Sequence, residues 1–248
     1  MLIALLQYDI IWENPKENLS RLDGLIAQTP HADLYLLPEM FNTGFVTSPA
    51  EAAGGPAFQW MLSRSKYLGA AIAGSVSVVE DGKYFNRMYF VRPDGSWDQY
   101  DKRHLFGSEA QDYTPGQKRV VAKWKDVSFL LATCYDLRFP VWLRNRGDYD
   151  MMLLGASWPS SRRYAWDTLL KARAIENQCF VAGVNRVGDD PNASYNGGSV
   201  LLNPLGEVLS SCPDGQQCGV TSYAELELVG EYRQRFRALK DADNFDLL

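Results

Sequence analysis

Histidines and long apolar runs are scarce in this sequence, and each scarcity excludes a class of protein. Only His31 and His104 occur among 248 residues, so a histidine-rich metal site is poorly supplied and we expect no metal. No apolar run approaches the roughly 18 residues that a membrane-spanning helix needs. The N-terminus lacks the basic region and small-residue cleavage site of a signal peptide. We therefore expect a cytoplasmic protein that does not enter a membrane.

Basic residues and cysteines are also few. The 25 Lys and Arg residues stand against 30 Asp and Glu residues, and the net charge is −5. A nucleic-acid partner is not expected, because no basic face is indicated. No two of the four cysteines form a CxxC pair of the kind that zinc sites use. The sequence leaves open whether Cys212 and Cys218 form a disulfide. No chemical role is assigned to Cys179.

Short apolar runs rich in strand formers recur along the chain, with helical patterns between some of them. Asn14 is a good N-cap, and Pro15 after it predicts the start of a first helix. A second helix is predicted over residues 163–178. This alternation, with hairpin turns in the middle and near the end, indicates a mixed sheet in an α/β layer fold. We find no linker and predict one domain over residues 1–248. The predicted strands cover residues 2–8, 33–37, 70–79, 84–91, 127–133, 151–155, 180–184, 199–202 and 219–226.

Cys134 is a candidate nucleophile. The apolar run 127–133 ends at this cysteine, and Pro140 suits the first turn of a helix. Backbone N–H groups at such a strand-to-helix turn can receive a developing oxyanion, and a helix N-terminus lowers a thiol pKa. The alternative is a small buried apolar residue, which is how most free cysteines behave.

A cysteine nucleophile needs a base, and the sequence offers carboxylates more readily than histidines. Glu39 follows an apolar run and is either an exposed glutamate at a strand end or a buried carboxylate, which must be paired or functional because its desolvation is costly. Taken one at a time, Lys102 and Glu109 read as solvated charges in polar segments. Composition and periodicity do not connect these residues with Cys134.

Three segments in order resemble the signature blocks of the nitrilase, or carbon–nitrogen hydrolase, superfamily. Further matches lie at residues 86–88, 172–178 and 203–207, so the resemblance covers nearly the whole chain, from Ile3 to about Glu227. It implies a four-layer α-β-β-α sandwich. The three blocks are residues 37–41 (LPEMF), 100–106 (YDKRHLF) and 134–140 (CYDLRFP).

The resemblance also implies a division of roles. Glu39 is the general base and Cys134 is the nucleophile that carries a thioester. Lys102 and the main-chain N–H of Tyr135 stabilise the oxyanion, and Glu109 supports the lysine and orients the substrate. The substrate is a small amide, and neither a metal nor an organic cofactor is needed.

Residues 41–45 and 157–162 resemble the omega-amidase branch, although Ser157 stands where the family usually has asparagine. That branch hydrolyses the terminal amide of small α-keto acids such as 2-oxoglutaramate and 2-oxosuccinamate. Arg162 is the candidate partner of the substrate carboxylate, and Arg138 is the more structural of the two arginines. Four aromatic residues are candidates for the pocket wall, although a core role is as plausible for each. They are Phe41, Phe45, Trp158 and Tyr195.

Other functions stay open. Within the superfamily, the alternatives are another amidase or a carbamoylase, a true nitrilase, and an amidase domain that passes ammonia to a synthetase. Outside catalysis, the chain could be an inactive nitrilase-like interaction module. The joint presence of Glu39, Lys102 and Cys134 argues against that module. A homodimer or a higher homo-oligomer is expected, since twofold assemblies are the commonest.

Overall fold

Two β-sheets form the middle of the molecule in the computed structural model, which describes residues 1–47, 50–243 and 245. The strands are β1 (Leu2–Gln7), β2 (Leu34–Leu36), β3 (Glu51–Ala52), β4 (Ala71–Glu80), β5 (Lys83–Val91), β6 (Trp97–Asp101), β7 (Val121–Trp124), β8 (Val127–Thr133), β9 (Met151–Ala156), β10 (Phe180–Asn185), β11 (Val187–Asp189), β12 (Ser194–Asn196), β13 (Val200–Leu202), β14 (Val208–Ser211) and β15 (Cys218–Tyr223). The first sheet has the order β15-β1-β2-β4-β5-β6, with β3 paired to β4. The second has the order β14-β13-β10-β9-β8-β7, and β11 and β12 form a separate hairpin.

Six helices lie between or after the strands of the described residues. They are α1 (Pro15–Gln28), α2 (Pro56–Leu68), α3 (Glu109–Asp112), α4 (Pro140–Leu143), α5 (Arg163–Asn177) and α6 (Glu227–Arg235), with 3₁₀ segments at Cys134–Arg138, Ser160–Arg162 and Ala238–Lys240. Among the helices of the described residues, none is long and apolar enough to cross a membrane.

The four layers follow from the alternation of side chains along the strands. Inward-facing residues of both sheets form one core, in which the rings of Phe90 and Phe129 lie 5.3 Å apart between centroids. The opposite face of the first sheet packs on α1 and α2, while Trp166 and Leu170 of α5 are buried against the second sheet. Because each sheet is apolar on both faces, it must be covered on both sides. The predicted α-β-β-α sandwich is therefore confirmed.

Most of the predicted elements are present. The Asn14 side chain accepts a hydrogen bond from the Glu17 N–H at 3.3 Å, which confirms the first N-cap. The second predicted helix is α5, and each predicted strand has a counterpart whose ends agree within about three residues. The predictions missed α2, α6 and several short polar strands, including β6 and β7. One domain over residues 1–248 stays a prediction.

The segment after β2 packs against the backbone of β9 at Gly155. A Cβ atom at this residue would lie 2.7 Å from the Leu37 carbonyl oxygen and 3.3 Å from the Glu39 nitrogen. Any larger residue would push these backbones apart, since such distances are below normal van der Waals contact. Gly155 thus lets the segment after β2 lie directly against the end of β9.

Candidate active site

The four residues assigned to chemistry come together where strands of both sheets end. Glu39 lies after β2, Lys102 after β6 and Cys134 after β8, whereas Glu109 begins α3. Glu39 is 0% exposed, Lys102 is 1% exposed and Glu109 is 3% exposed. The reading of Lys102 and Glu109 as solvated charges is therefore wrong, because tertiary packing buries both residues.

Lys102 is bonded to both carboxylates. Its Nζ lies 2.8 Å from Glu39 Oε1 and 2.7 Å from Glu109 Oε2. Burial by itself lowers the pKa of Lys102, but the charges of Glu109, Glu39 and Cys134 raise it well above the usual value. Burial raises the pKa of Glu109, and the neighbouring Lys102 charge opposes this shift. The lysine is therefore a fixed positive charge.

Three neutral donors complete the hydrogen bonds of these carboxylates. Asn86 Nδ2 donates to Glu39 Oε1 at 2.8 Å and to Glu109 Oε1 at 2.9 Å. The Ser157 N–H donates to Glu39 Oε2 at 3.0 Å, and the Phe106 N–H to Glu109 Oε2 at 2.8 Å. The main chain of Ser157 makes this bond, so it does not require the asparagine that the family usually has there.

Asn86 binds both acids, and the sequence did not predict this role. In the sequence, Asn86 belongs to the matching segment 86–88, but no pattern assigns it a role. One signal was available, because an amide in the middle of the aromatic and apolar run of β5 has to find a partner when it is buried. The partners themselves lie 47 and 23 residues away along the chain, so their identity was not readable.

Cys134 occupies a sharp turn. Its φ of +44° is in the left-handed region, which non-glycine residues rarely adopt. Asp136 holds the turn by accepting hydrogen bonds from the Thr133 N–H at 3.0 Å and the Tyr100 hydroxyl at 2.7 Å. Arg173 donates to the Leu137 carbonyl at 2.7 Å and 3.1 Å. Such over-determined strain is typical of functional positions.

The pKa of the Cys134 thiol is raised well above its usual value. Burial is the largest cause, the negative charge of Glu39 adds to it, and the positive charge of Lys102 opposes it. The expectation that a helix N-terminus lowers this pKa is wrong. A short 3₁₀ turn follows the cysteine, and α4 begins only at Pro140. The resting thiol is therefore protonated.

A cavity of about 360 Å³ opens beside the thiol. Glu109, Cys134 and Ser157 line it, together with aromatic residues and Arg162. Its other lining residues include Phe45, Phe106, Tyr113, Tyr195, Asn192 and Asp112. Tyr135, Arg138 and Trp158 instead line an adjoining space of about 20 Å³ that also reaches Cys134 and Arg162. Phe41 is fully buried in the core of the first sheet.

The two candidate arginines differ in their surroundings. Arg162 is exposed at the main cavity, with its guanidinium carbon 5.0 Å from the centroid of the Phe106 ring. The guanidinium carbon of Arg138 lies 4.9 Å from the centroid of the Trp158 ring. The Phe45 ring covers the lysine, with its centroid 5.4 Å from Lys102 Nζ. Arg162 is thus the arginine that meets the larger cavity.

The histidines and the other cysteines lie apart from this cavity. His31 is exposed, while His104 Nδ1 lies 2.8 Å from Asp136 Oδ1 and the ring stacks on Phe139. Neither histidine lines the cavity. All four cysteines are free thiols, including Cys212 and Cys218. Within residues 1–47, 50–243 and 245, no group of three or more His, Cys, Asp or Glu residues could hold a metal ion.

Comparison with known proteins places this geometry in a family. The carbon-nitrogen hydrolase family model matches residues 2–234. The omega-amidase YafV of Yersinia enterocolitica is 43% identical over 99% of this chain and 98% of its own length. The 2-oxoglutaramate amidase of Bacillus subtilis is 34% identical over 91% of this chain and 90% of its own length. The chain belongs to the carbon–nitrogen hydrolase family and is an amidase of its omega-amidase-like branch.

A solved structure agrees with this assignment. A CN-hydrolase superfamily protein from Xanthomonas campestris, which carries an arsenic adduct in its active site, is 41% identical to this chain. The two superpose with a TM-score of 0.96, covering 100% of this chain and 98% of the other. The order and packing of the layers are therefore shared.

The charge of Glu39 should control the pKa of the Cys134 thiol. We expect Glu39→Gln to lower this pKa, because the substitution removes a negative charge beside the sulfur. Glu109→Gln is the matched control and should lower it less, since Glu109 is not among the main causes of the shift. The measurement is ultraviolet absorbance of the thiolate against pH, after subtraction of the Cys134→Ala spectrum. An unchanged or higher pKa in Glu39→Gln would contradict the electrostatic account.

Proposed function

We propose that this amidase hydrolyses the terminal amide of a small α-keto acid, 2-oxoglutaramate or 2-oxosuccinamate, through a thioester on Cys134. The observation that carries the proposal is that Glu39 and Lys102 lie beside the Cys134 thiol, which lines the cavity, with Lys102 Nζ 2.8 Å from Glu39 Oε1. Support for the substrate class comes from relatives named as an omega-amidase and as a 2-oxoglutaramate amidase.

The first half of the reaction forms the thioester. Because burial keeps the resting thiol protonated, Glu39 takes the proton as Cys134 Sγ attacks the amide carbonyl carbon. The negative charge that develops on the carbonyl oxygen is stabilised by Lys102 and by the N–H of Tyr135. The carbon–nitrogen bond then breaks, the nitrogen takes the proton from Glu39, and ammonia leaves.

The second half releases the acid. Glu39 takes a proton from water, and the resulting hydroxide attacks the thioester carbonyl. The carbon–sulfur bond breaks, the proton on Glu39 returns to Cys134, and the dicarboxylate product departs. Lys102 does not exchange a proton in this scheme, because its neighbouring carboxylates hold its pKa well above the usual value. Glu109 supports that charge through its bond to Nζ of 2.7 Å.

Arg162 is the proposed partner of the substrate carboxylate. When the amide of the keto-acid substrate lies at Cys134, its carboxylate at the other end lies toward the open side of the cavity, where Arg162 is exposed. An arginine binds a carboxylate through two parallel hydrogen bonds. Phe45 is proposed as a wall of the same cavity, and Tyr135 and Trp158 as walls of the adjoining space.

Ammonia release tests the proposed reaction directly. We expect turnover of 2-oxoglutaramate and 2-oxosuccinamate, with glutamine and a simple nitrile as poor substrates. Cys134→Ala should abolish turnover, because the thioester cannot form. Cys179→Ala is the matched control, since this cysteine is buried away from the cavity and should be dispensable. Release from none of these substrates would move the assignment to a carbamoylase or to an inactive module.

Arg162→Gln should weaken recognition of the keto acid. We expect KM for 2-oxoglutaramate to rise roughly tenfold or more, which corresponds to the loss of a charge-assisted pair. Turnover of an amide without a carboxylate should change little. Arg138→Gln is the comparison variant, because Arg138 packs on Trp158 beside the smaller space. An equal loss with both amides would mean that Arg162 does not bind the carboxylate.

We also propose that two copies of the chain pair through the outer face of α5. Tyr164 is 84% exposed and Ile175 is 51% exposed, and their separation of about three helical turns places them on one face. Leu205 is 53% exposed in the turn next to Ile175. We expect light scattering to give a dimer mass and Ile175→Glu to give a monomer. A monomeric wild type at micromolar concentration would exclude this pairing.

A further inference from the structure

We propose that Asn86 is a positioning residue of the amidase reaction, which holds the carboxylates of Glu39 and Glu109 apart and in register with Lys102. The proposal deepens the proposed function and rests on it. Asn86 is 1% exposed and does not line the cavity, so it acts through other residues rather than on the substrate.

Asn86 contacts three of the four chemical residues. Its side-chain nitrogen donates one hydrogen bond to Glu39 and one to Glu109. Its main-chain carbonyl accepts from the Lys102 N–H at 2.9 Å, at the point where the chain leaves β6. A single residue of β5 thus fixes the backbone of the lysine and the side chains of both acids.

The surroundings of the amide determine which way it faces. Asn86 Oδ1 is buried and has no hydrogen-bond partner among the residues that the structure describes, whereas Nδ2 has a carboxylate oxygen at 2.8 Å and another at 2.9 Å. Rotating the amide by half a turn would place its oxygen against two negatively charged oxygens. The structure therefore leaves one acceptor unsatisfied so that both N–H groups can serve the acids, a cost that buried polar groups rarely bear without a compensating gain.

Those two N–H groups have an electrostatic consequence. Two carboxylates that share one site ordinarily retain one proton between them, as their charges repel. Here one lysine faces two acids, and the charge of Glu39 contributes to raising the pKa of Glu109. Asn86 supplies each acid with a donor and no competing charge, and its hydrogen bond to Glu109 opposes the rise in the pKa of that acid. The other ionisable groups near the pair are Cys134, Tyr113, Tyr195 and Asp112.

Two substitutions separate positioning from general stability. Asn86→Leu keeps the size of the side chain and removes both donors. We expect kcat to fall roughly 10- to 100-fold with KM changed by less than about threefold, since misplaced catalytic groups cost rate rather than binding. Asn86→Asp adds a third carboxyl group. We expect the acid limb of kcat/KM to move about one unit or more toward higher pH, because like charges raise the pKa of the shared acids.

Asn145→Asp is the matched control. Asn145 is 2% exposed and its amide bonds to the main chain of Tyr149 and Asn177, remote from the cavity. It introduces the same chemical change at the same burial. Circular dichroism and the thermal unfolding midpoint give the folded fraction of each variant, so loss of protein is not mistaken for loss of rate. The control should keep the wild-type pH profile.

A second readout does not need a substrate. Iodoacetamide alkylation of Cys134 depends on Glu39 as base, so its acid limb should move with Asn86→Asp and stay in place with Asn145→Asp. The proposal would be overturned if the acid limb of the pH profile did not move in Asn86→Asp. It would also be overturned if KM rose by a larger factor than kcat fell in Asn86→Leu. If the wild type released no ammonia from any amide, the proposed function would fail while this alkylation result still decided the role of Asn86.

Discussion

The pairing of one buried ammonium group with two buried carboxylates is the constraint on which the rest of the site depends. Lys102 Nζ lies within 2.8 Å of an oxygen of each acid, and all three residues are almost fully removed from water. Desolvating three charges is costly, and their attraction offsets the cost only when the remaining polar atoms are also bonded. The N–H groups of Asn86, Ser157 and Phe106 meet that requirement.

The chemistry follows from this buried cluster. The buried thiol beside Glu39 stays protonated, so in the proposed mechanism the base acts during the attack rather than before it. Glu39, which disfavours a resting thiolate, also acts with Glu109 to keep Lys102 charged, as the proposed oxyanion role of the lysine requires. The acid, the lysine and the thiol are therefore interdependent, and removing one changes the protonation of the others.

The scaffold brings these groups together by closing the two sheets on one another. Glu39 and Lys102 leave the first sheet, and Cys134 leaves the second. Gly155 permits the backbone contact that places Glu39 against β9. The chain turns sharply at Cys134, which lines the cavity, and Asp136 and Arg173 hold this left-handed turn. A site built at strand ends is more rigid than one built on loops alone.

The sequence by itself predicted most of the strands, the first helix cap, the family resemblance and the candidate roles of Glu39, Lys102 and Cys134, because local patterns and ordered motifs carry that information. Only the tertiary structure decided that Lys102 and Glu109 are buried, that Asn86 and the Ser157 main chain bind the acids, and that the pKa of Cys134 rises. Short polar strands such as β6 were also missed by the predictions, since their residues do not alternate between apolar and polar. The physical reason is that desolvation and hydrogen bonding depend on neighbours far apart in the chain.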